Sequence, residues 1–105
     1  APWRFDGHPD HEAVARACVQ AATARGVALK EYPVWGWHWL DPQAAPTAWA
    51  TATRVALDDA LVVRKRGAIQ QFVTQTGAVD GLDCEPILPA AVLQRFERNY
   101  EVLIG

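Results

Sequence analysis

The chain has no methionine and only two cysteines, Cys18 and Cys84, in 105 residues. The two thiols could pair in principle. Cys18, however, falls on an apolar helix face beside alanines, so buried free thiols in a reducing cytoplasm fit better. No stretch approaches the roughly 18 consecutive apolar residues needed to cross a bilayer, which excludes a membrane span of that kind. The opening "APWRFDG" lacks the basic and apolar regions of a signal peptide. The lack of methionine fits removal of an initiator before Ala1, or a chain whose beginning lies elsewhere.

A dominant charge is also missing. Ten Lys and Arg face twelve Asp and Glu, for a net charge of −2. Nothing here favours nucleic acid or an anionic membrane as a partner. The only basic run, Arg64, Lys65 and Arg66, reads as a solvated helix face. There is no internal repeat and no low-complexity segment. Half of the residues are hydrophobic and 21% are charged, which suits a single ordered domain with a modest core.

Along the chain, a first helix is expected from Pro9 to Arg25, with proline at its first position and Gly26 just past its end. Val14, Ala17, Cys18 and Ala21 mark its apolar stripe. "ALKEYPV", 28–34, reads as a strand and "WGWHWLDP" as its extended continuation, followed by a loop over 43–50. "TATRVALD", 51–58, is a second strand candidate. A second helix runs from about Asp59 to Thr76 and stops at Gly77, with Leu61, Ala68, Ile69, Phe72 and Val73 as its apolar set. Lys65 sits near that apolar side and snorkels. A turn-rich loop, a short helix opened by Pro89 through Phe96, and a closing strand "NYEVLIG" complete the chain. Helix and strand alternate, which argues for an α/β fold.

The residues with chemistry cluster in "DGHPDHEAVARAC", 6–18. His8 precedes a proline, which keeps its backbone out of the helical region. His11 lies three residues on, so the two imidazoles are neighbours at a helix start. The positive end of a helix dipole favours a neutral imidazole, the form that binds a metal. Asp10 is placed to accept a ring N–H and fix a tautomer. The plain alternative is that Asp6 or Asp10 caps the helix and both histidines are solvated. Two histidines are fewer donors than zinc requires.

Further on, Trp35, Trp37 and Trp39 alternate, so an extended segment projects all three to one face, with Gly36 and His38 on the other. Such a face can stack on sugar rings, or pack against a sheet. His38 either lines a substrate pocket or is hydrogen-bonded structure.

Together, "DGHPDHEAVARA", "EYPVWGWHW" and "KRGAIQQFVTQ" resemble, in order, the C-terminal half of the PIG-L/LmbE-type zinc-dependent N-deacetylases, over nearly all of residues 3–104. The resemblance implies the C-terminal half of a three-layer, Rossmann-like α/β sandwich. It also implies removal of an N-acetyl group from an N-acetylglucosamine-like glycoside by a zinc-activated water. In its terms His11 is the metal ligand, and His8 polarises the substrate carbonyl or stabilises the oxyanion. Asp10 orients that histidine, and Trp35, Trp37, His38 and Trp39 contact substrate. The family also carries an earlier His-Pro-Asp-Asp-like motif with further zinc ligands and the general base. Here His38 and the Asp58–Asp59 pair lack that context, and no second such motif follows.

Residues 1–105 are therefore expected to form one incomplete domain that binds zinc weakly and does not catalyse alone. A missing N-terminal half would supply the other ligands, and otherwise the exposed apolar face drives self-association. The rival readings are a non-catalytic carbohydrate-binding or interaction module using the tryptophan face, and a decayed remnant.

Overall fold

The computed structural model describes residues 1–41, 43, 49–77 and 85–105, so parts of the loops read over 43–50 and 78–88, and Cys84, lie outside the described residues. The chain divides into two compact units, Ala1–Val55 with Val102–Gly105, and Ala56–Glu101. Strand β1 (Ala52–Ala56) pairs antiparallel with strand β2 (Tyr100–Ile104), and the division falls within both strands. These are the second and closing strands expected from the sequence. A Rossmann-like sandwich is built on a parallel sheet, whereas the sheet among the described residues is this one antiparallel pair.

In the first unit, helix α1 spans Pro9–Arg25, the range expected from its punctuation. His8 is its N-cap, and the ring itself does the capping by accepting the Asp10 backbone N–H. At the other end Gly26 adopts the left-handed conformation (φ 63°). The Gly26 and Val27 N–H groups then bond to Thr23 and Ala22 carbonyls. That pair of bonds satisfies two carbonyls the helix would otherwise leave open.

The inward face of α1 differs from the expected stripe. Ala15 and Ala22 are buried, with His11, Glu12, Cys18 and Val19 half-buried along the same side, while Val14, Ala17 and Ala21 are exposed. Apolarity alone is a poor guide on a helix so rich in alanine. His8 and His11 are anchored at its start, on the Asp10 N–H and the Asp6 carboxylate.

On either side of α1, short extended segments meet in a parallel bridge between Pro2 and Tyr32. A parallel pair needs a crossover, and α1 is that crossover. Glu31 in turn forms an antiparallel bridge with Ile104, which joins the pair to β2. The expected strand over 28–34 thus pairs only at Glu31 and Tyr32. Pro33 has no N–H to offer a ladder, and the N–H groups of Val34, Trp35 and Gly36 are taken by the Asp6 carboxylate. Trp3, Leu40 and Ile104 form the core of this unit, with Trp49 and Ala52 packed against it.

The segment after Pro33 is not extended. Helix α2, a single turn at Gly36–Trp39, follows instead. Residues four apart share a side of such a turn and the one between them points away. Trp37 is accordingly buried and stacks on Trp49 at 5.8 Å, whereas Trp35 and Trp39 are 40% and 52% exposed. The expectation of one face carrying Trp35, Trp37 and Trp39 is corrected here.

The second unit holds α3 (Asp59–Gln70), α4 (Val73–Thr76) and α5 (Ala90–Phe96). Asp58 caps α3 by accepting the Leu61 N–H at 2.8 Å. The single helix expected from Asp59 to Thr76 is broken at Gln71 and Phe72, whose N–H groups bond three residues back to Ala68 and Ile69. Those tighter bonds end the α-helical ladder. Gly77 is extended rather than left-handed. Of the expected apolar set, Leu61, Phe72 and Val73 are exposed; the half-buried side of α3 is Val62, Lys65 and Ile69. Lys65 is neither free in solvent nor merely snorkelling, since its ammonium meets Glu101 at 2.5 Å.

Candidate functional site

The site is organised by Asp6, whose side chain is fully buried. Its Oδ1 accepts the backbone N–H groups of Val34 and Gly36, and its Oδ2 accepts that of Trp35, each at 2.8 Å. The same Oδ2 lies 2.6 Å from Nδ1 of His11. A carboxylate offers about four lone-pair directions, and four donors use them. Burial of a carboxylate is tolerable only with such saturation. The cluster of three N–H groups also explains the turn at α2: an acceptor there gathers the open donors of a helix start.

This arrangement joins the end of the first extended segment to the end of the second, at the carboxyl side of the parallel bridge. His11 is 24% exposed and is tethered through Nδ1, so Nε2 is the nitrogen left for a ligand. The His8 ring stands 4.5 Å from that of His11 between centroids. Trp35 follows His8 at 5.7 Å, and His38 stacks on Trp35 at 4.9 Å. Four rings thus form a row, His11, His8, Trp35 and His38.

Trp39 closes one flank. Its indole N–H donates to the Asp6 carbonyl at 3.1 Å, and its ring stacks on Trp3 at 6.1 Å. Gly7 is required beneath it: φ is 77°, and a Cβ there would lie 2.9 Å from Trp39 Nε1. The Gly7 N–H in turn reaches the Glu12 carboxylate at 3.3 Å, which ties the entry loop to the helix.

Most of the expected site residues therefore come together, with two changes. Asp10 is exposed, and it meets His8 only through its backbone N–H; the carboxylate that orients a histidine is Asp6, and the histidine is His11. Asp6 was open to sequence reasoning only as a candidate cap. Its real signal is an acid five residues before a histidine, held there by a glycine. Trp37 leaves the site for the core.

A second buried acid was not visible from sequence at all. Glu31 is 3% exposed and accepts the Arg4 backbone N–H at 3.0 Å and its guanidinium at 2.8 and 2.5 Å. Hydrogen bonding to Glu31 raises the Arg4 pKa above its ordinary value, against a smaller lowering by desolvation. An open cavity of about 520 Å³ lies beside this pair, lined by Trp3, Phe5, Thr51 and Ile104 among others, and the histidines are not among its walls.

Among the described residues, no group of three His, Cys, Asp or Glu is placed to hold a metal ion. Zinc requires three or four protein donors. The described residues therefore do not make a zinc site by themselves. No helix among them is long and apolar enough to cross a membrane. Comparison of the chain with protein-family models, curated proteins and solved structures finds no match.

Proposed function

We propose that this chain carries the histidine pair of a metal-dependent hydrolase of the PIG-L/LmbE N-deacetylase type, acting on an N-acetylated glycoside. The observation that carries the reading is the tethered imidazole of His11, with Nδ1 on a buried carboxylate and Nε2 without a partner among the described residues. A histidine that ligates a metal is almost always held this way through its other nitrogen. The order of the HPDH, WGWHW and KRGAIQQFVTQ segments supports the same reading.

The reading assigns roles to this chain's own residues. His11 contributes one donor to the cation, and the remaining donors belong to residues other than those described. His8, alongside, presents a ring nitrogen to the oxygen of the scissile amide, where a hydrogen bond strengthens as negative charge develops. Trp35 beside His8 and His38, and Trp39 beside the Asp6–Gly7 loop, present half-exposed rings suited to the apolar face of a sugar. The carbohydrate-module alternative loses its basis in a three-tryptophan face, because Trp37 is turned into the core.

Titration of the chain with Zn²⁺ in a calorimeter tests this. One weak site that disappears in His11→Ala is expected. Equal zinc binding by wild type and His11→Ala would remove the ligand assignment.

A further inference from the structure

The two histidines at the start of α1 use the same ring atom for opposite purposes. His8 Nδ1 faces the Asp10 backbone N–H at 3.2 Å. A backbone N–H can only donate, so that nitrogen keeps its lone pair and the neutral ring carries its proton on Nε2. His11 Nδ1 faces Oδ2 of Asp6 at 2.6 Å. That carboxylate already accepts three backbone N–H groups. An ionised carboxylate is acceptor-only, so a neutral His11 ring carries its proton on Nδ1 and its lone pair on Nε2.

We infer that Asp6 is the positioning residue of this site, holding His11 in the Nδ1–H tautomer while the helix start holds its neighbour His8 in the Nε2–H tautomer. Two rings 4.5 Å apart then carry unlike nitrogens beyond their tethers, a lone pair on one and a proton on the other. The same carboxylate fixes the Val34–Gly36 backbone from which Trp35 projects. One buried group therefore sets both the chemistry of His11 and the placement of the neighbouring aromatic ring. The tautomer assignment stands on geometry alone; its value to a metal ligand rests on the proposed hydrolase reading.

Asp6→Asn separates positioning from mere packing. The amide has one oxygen and one NH₂ group. With its oxygen at the Oδ1 position, it still serves Val34 and Gly36 and leaves only the Trp35 N–H facing the NH₂. Its NH₂ then donates to His11 Nδ1 and drives the ring proton to Nε2, removing the lone pair that faces outward. The reversed amide orientation confronts two N–H groups with an NH₂ and is disfavoured.

Long-range ¹H–¹⁵N correlation spectra at alkaline pH, where imidazoles are neutral, report which ring nitrogen carries the proton. In the wild-type chain the expected result is Nδ1–H for His11 and Nε2–H for His8. Asp6→Asn is expected to switch His11 alone and to weaken Zn²⁺ binding roughly 10–100-fold. A wild-type His11 protonated on Nε2, or an Asp6→Asn variant with His11 unchanged, overturns the inference. Should Asp6→Asn fail to fold, the wild-type spectrum decides by itself. Failure of the wild-type chain to bind Zn²⁺ through His11 removes the hydrolase reading, and the tautomers are still read directly.

Discussion

Oδ2 of Asp6 lies 2.6 Å from Nδ1 of His11, and the same carboxylate holds three successive backbone N–H groups from a segment nearly thirty residues further along the chain. The contact links the loop before α1, the first turn of α1 and the start of α2. Removing the acceptor leaves buried donors with nothing to bond. Asp6→Ala is therefore expected to cost at least about 3 kcal/mol of unfolding free energy. Urea denaturation followed by far-UV circular dichroism measures it, and a cost below about 1 kcal/mol would contradict the saturated geometry.

Trp37 and Trp35 should separate cleanly on substitution. Trp37 is 8% exposed and stacked on Trp49, so Trp37→Ala should destabilise by about 3–5 kcal/mol. Trp35 is 40% exposed, and Trp35→Ala should cost no more than about 1 kcal/mol. Melting curves of the two variants test the corrected placement. Equal effects would restore a common face.

Two glycines should respond with opposite signs to alanine. Gly26 is left-handed at φ 63°, and Gly26→Ala should destabilise by about 1 kcal/mol. Gly67 lies inside α3 with nothing within 4 Å of an added Cβ. Gly67→Ala should stabilise by about 0.5–1 kcal/mol through helix propensity. Chemical denaturation of each variant reads the sign directly.

Arg4 gains a partner on folding, and its pKa in the folded chain is raised, chiefly by the hydrogen bond to Glu31. The contribution of the pair is therefore complete below the unfolded-state value of an arginine. It is lost only as pH rises through the still higher folded value, so Arg4 adds no slope to stability at ordinary pH. A lysine at this position loses its proton far earlier: the Glu31 partner raises its folded pKa, so its contribution fades from its unfolded value of about 10.4 upward. The stability difference between wild type and Arg4→Lys should widen as pH climbs above about 10.4. A difference that stays constant over that range would show that the pair contributes nothing. At neutral pH Arg4→Ala should cost about 1–2 kcal/mol, a figure tempered by the 40% exposure of the Arg4 side chain.

Several elements are legible in the sequence. Helix α1 was readable to the residue from Pro9 and Gly26, and β1, α5 and β2 lie where alternation and proline punctuation put them. Prolines and left-handed glycines act on their own backbone, so their signal does not depend on what surrounds them. The pairing of His8 with His11 was likewise local, a matter of three residues at a helix start. Periodicity was less reliable. The stripe of α1 was misplaced because alanines are apolar on every side, and the break after Gln70 leaves no mark that period alone could reveal.

The sequence alone determined where α1 begins and ends and that two imidazoles meet at its head, because these depend on neighbours within a few residues. Tertiary structure decided which acid serves His11, why the segment after Pro33 coils instead of extending, and which tryptophan is lost to the core. The physical reason is the same for all three. A buried carboxylate must find donors for every lone pair, and Asp6 finds them in backbone nearly thirty residues away, where no local pattern announces them.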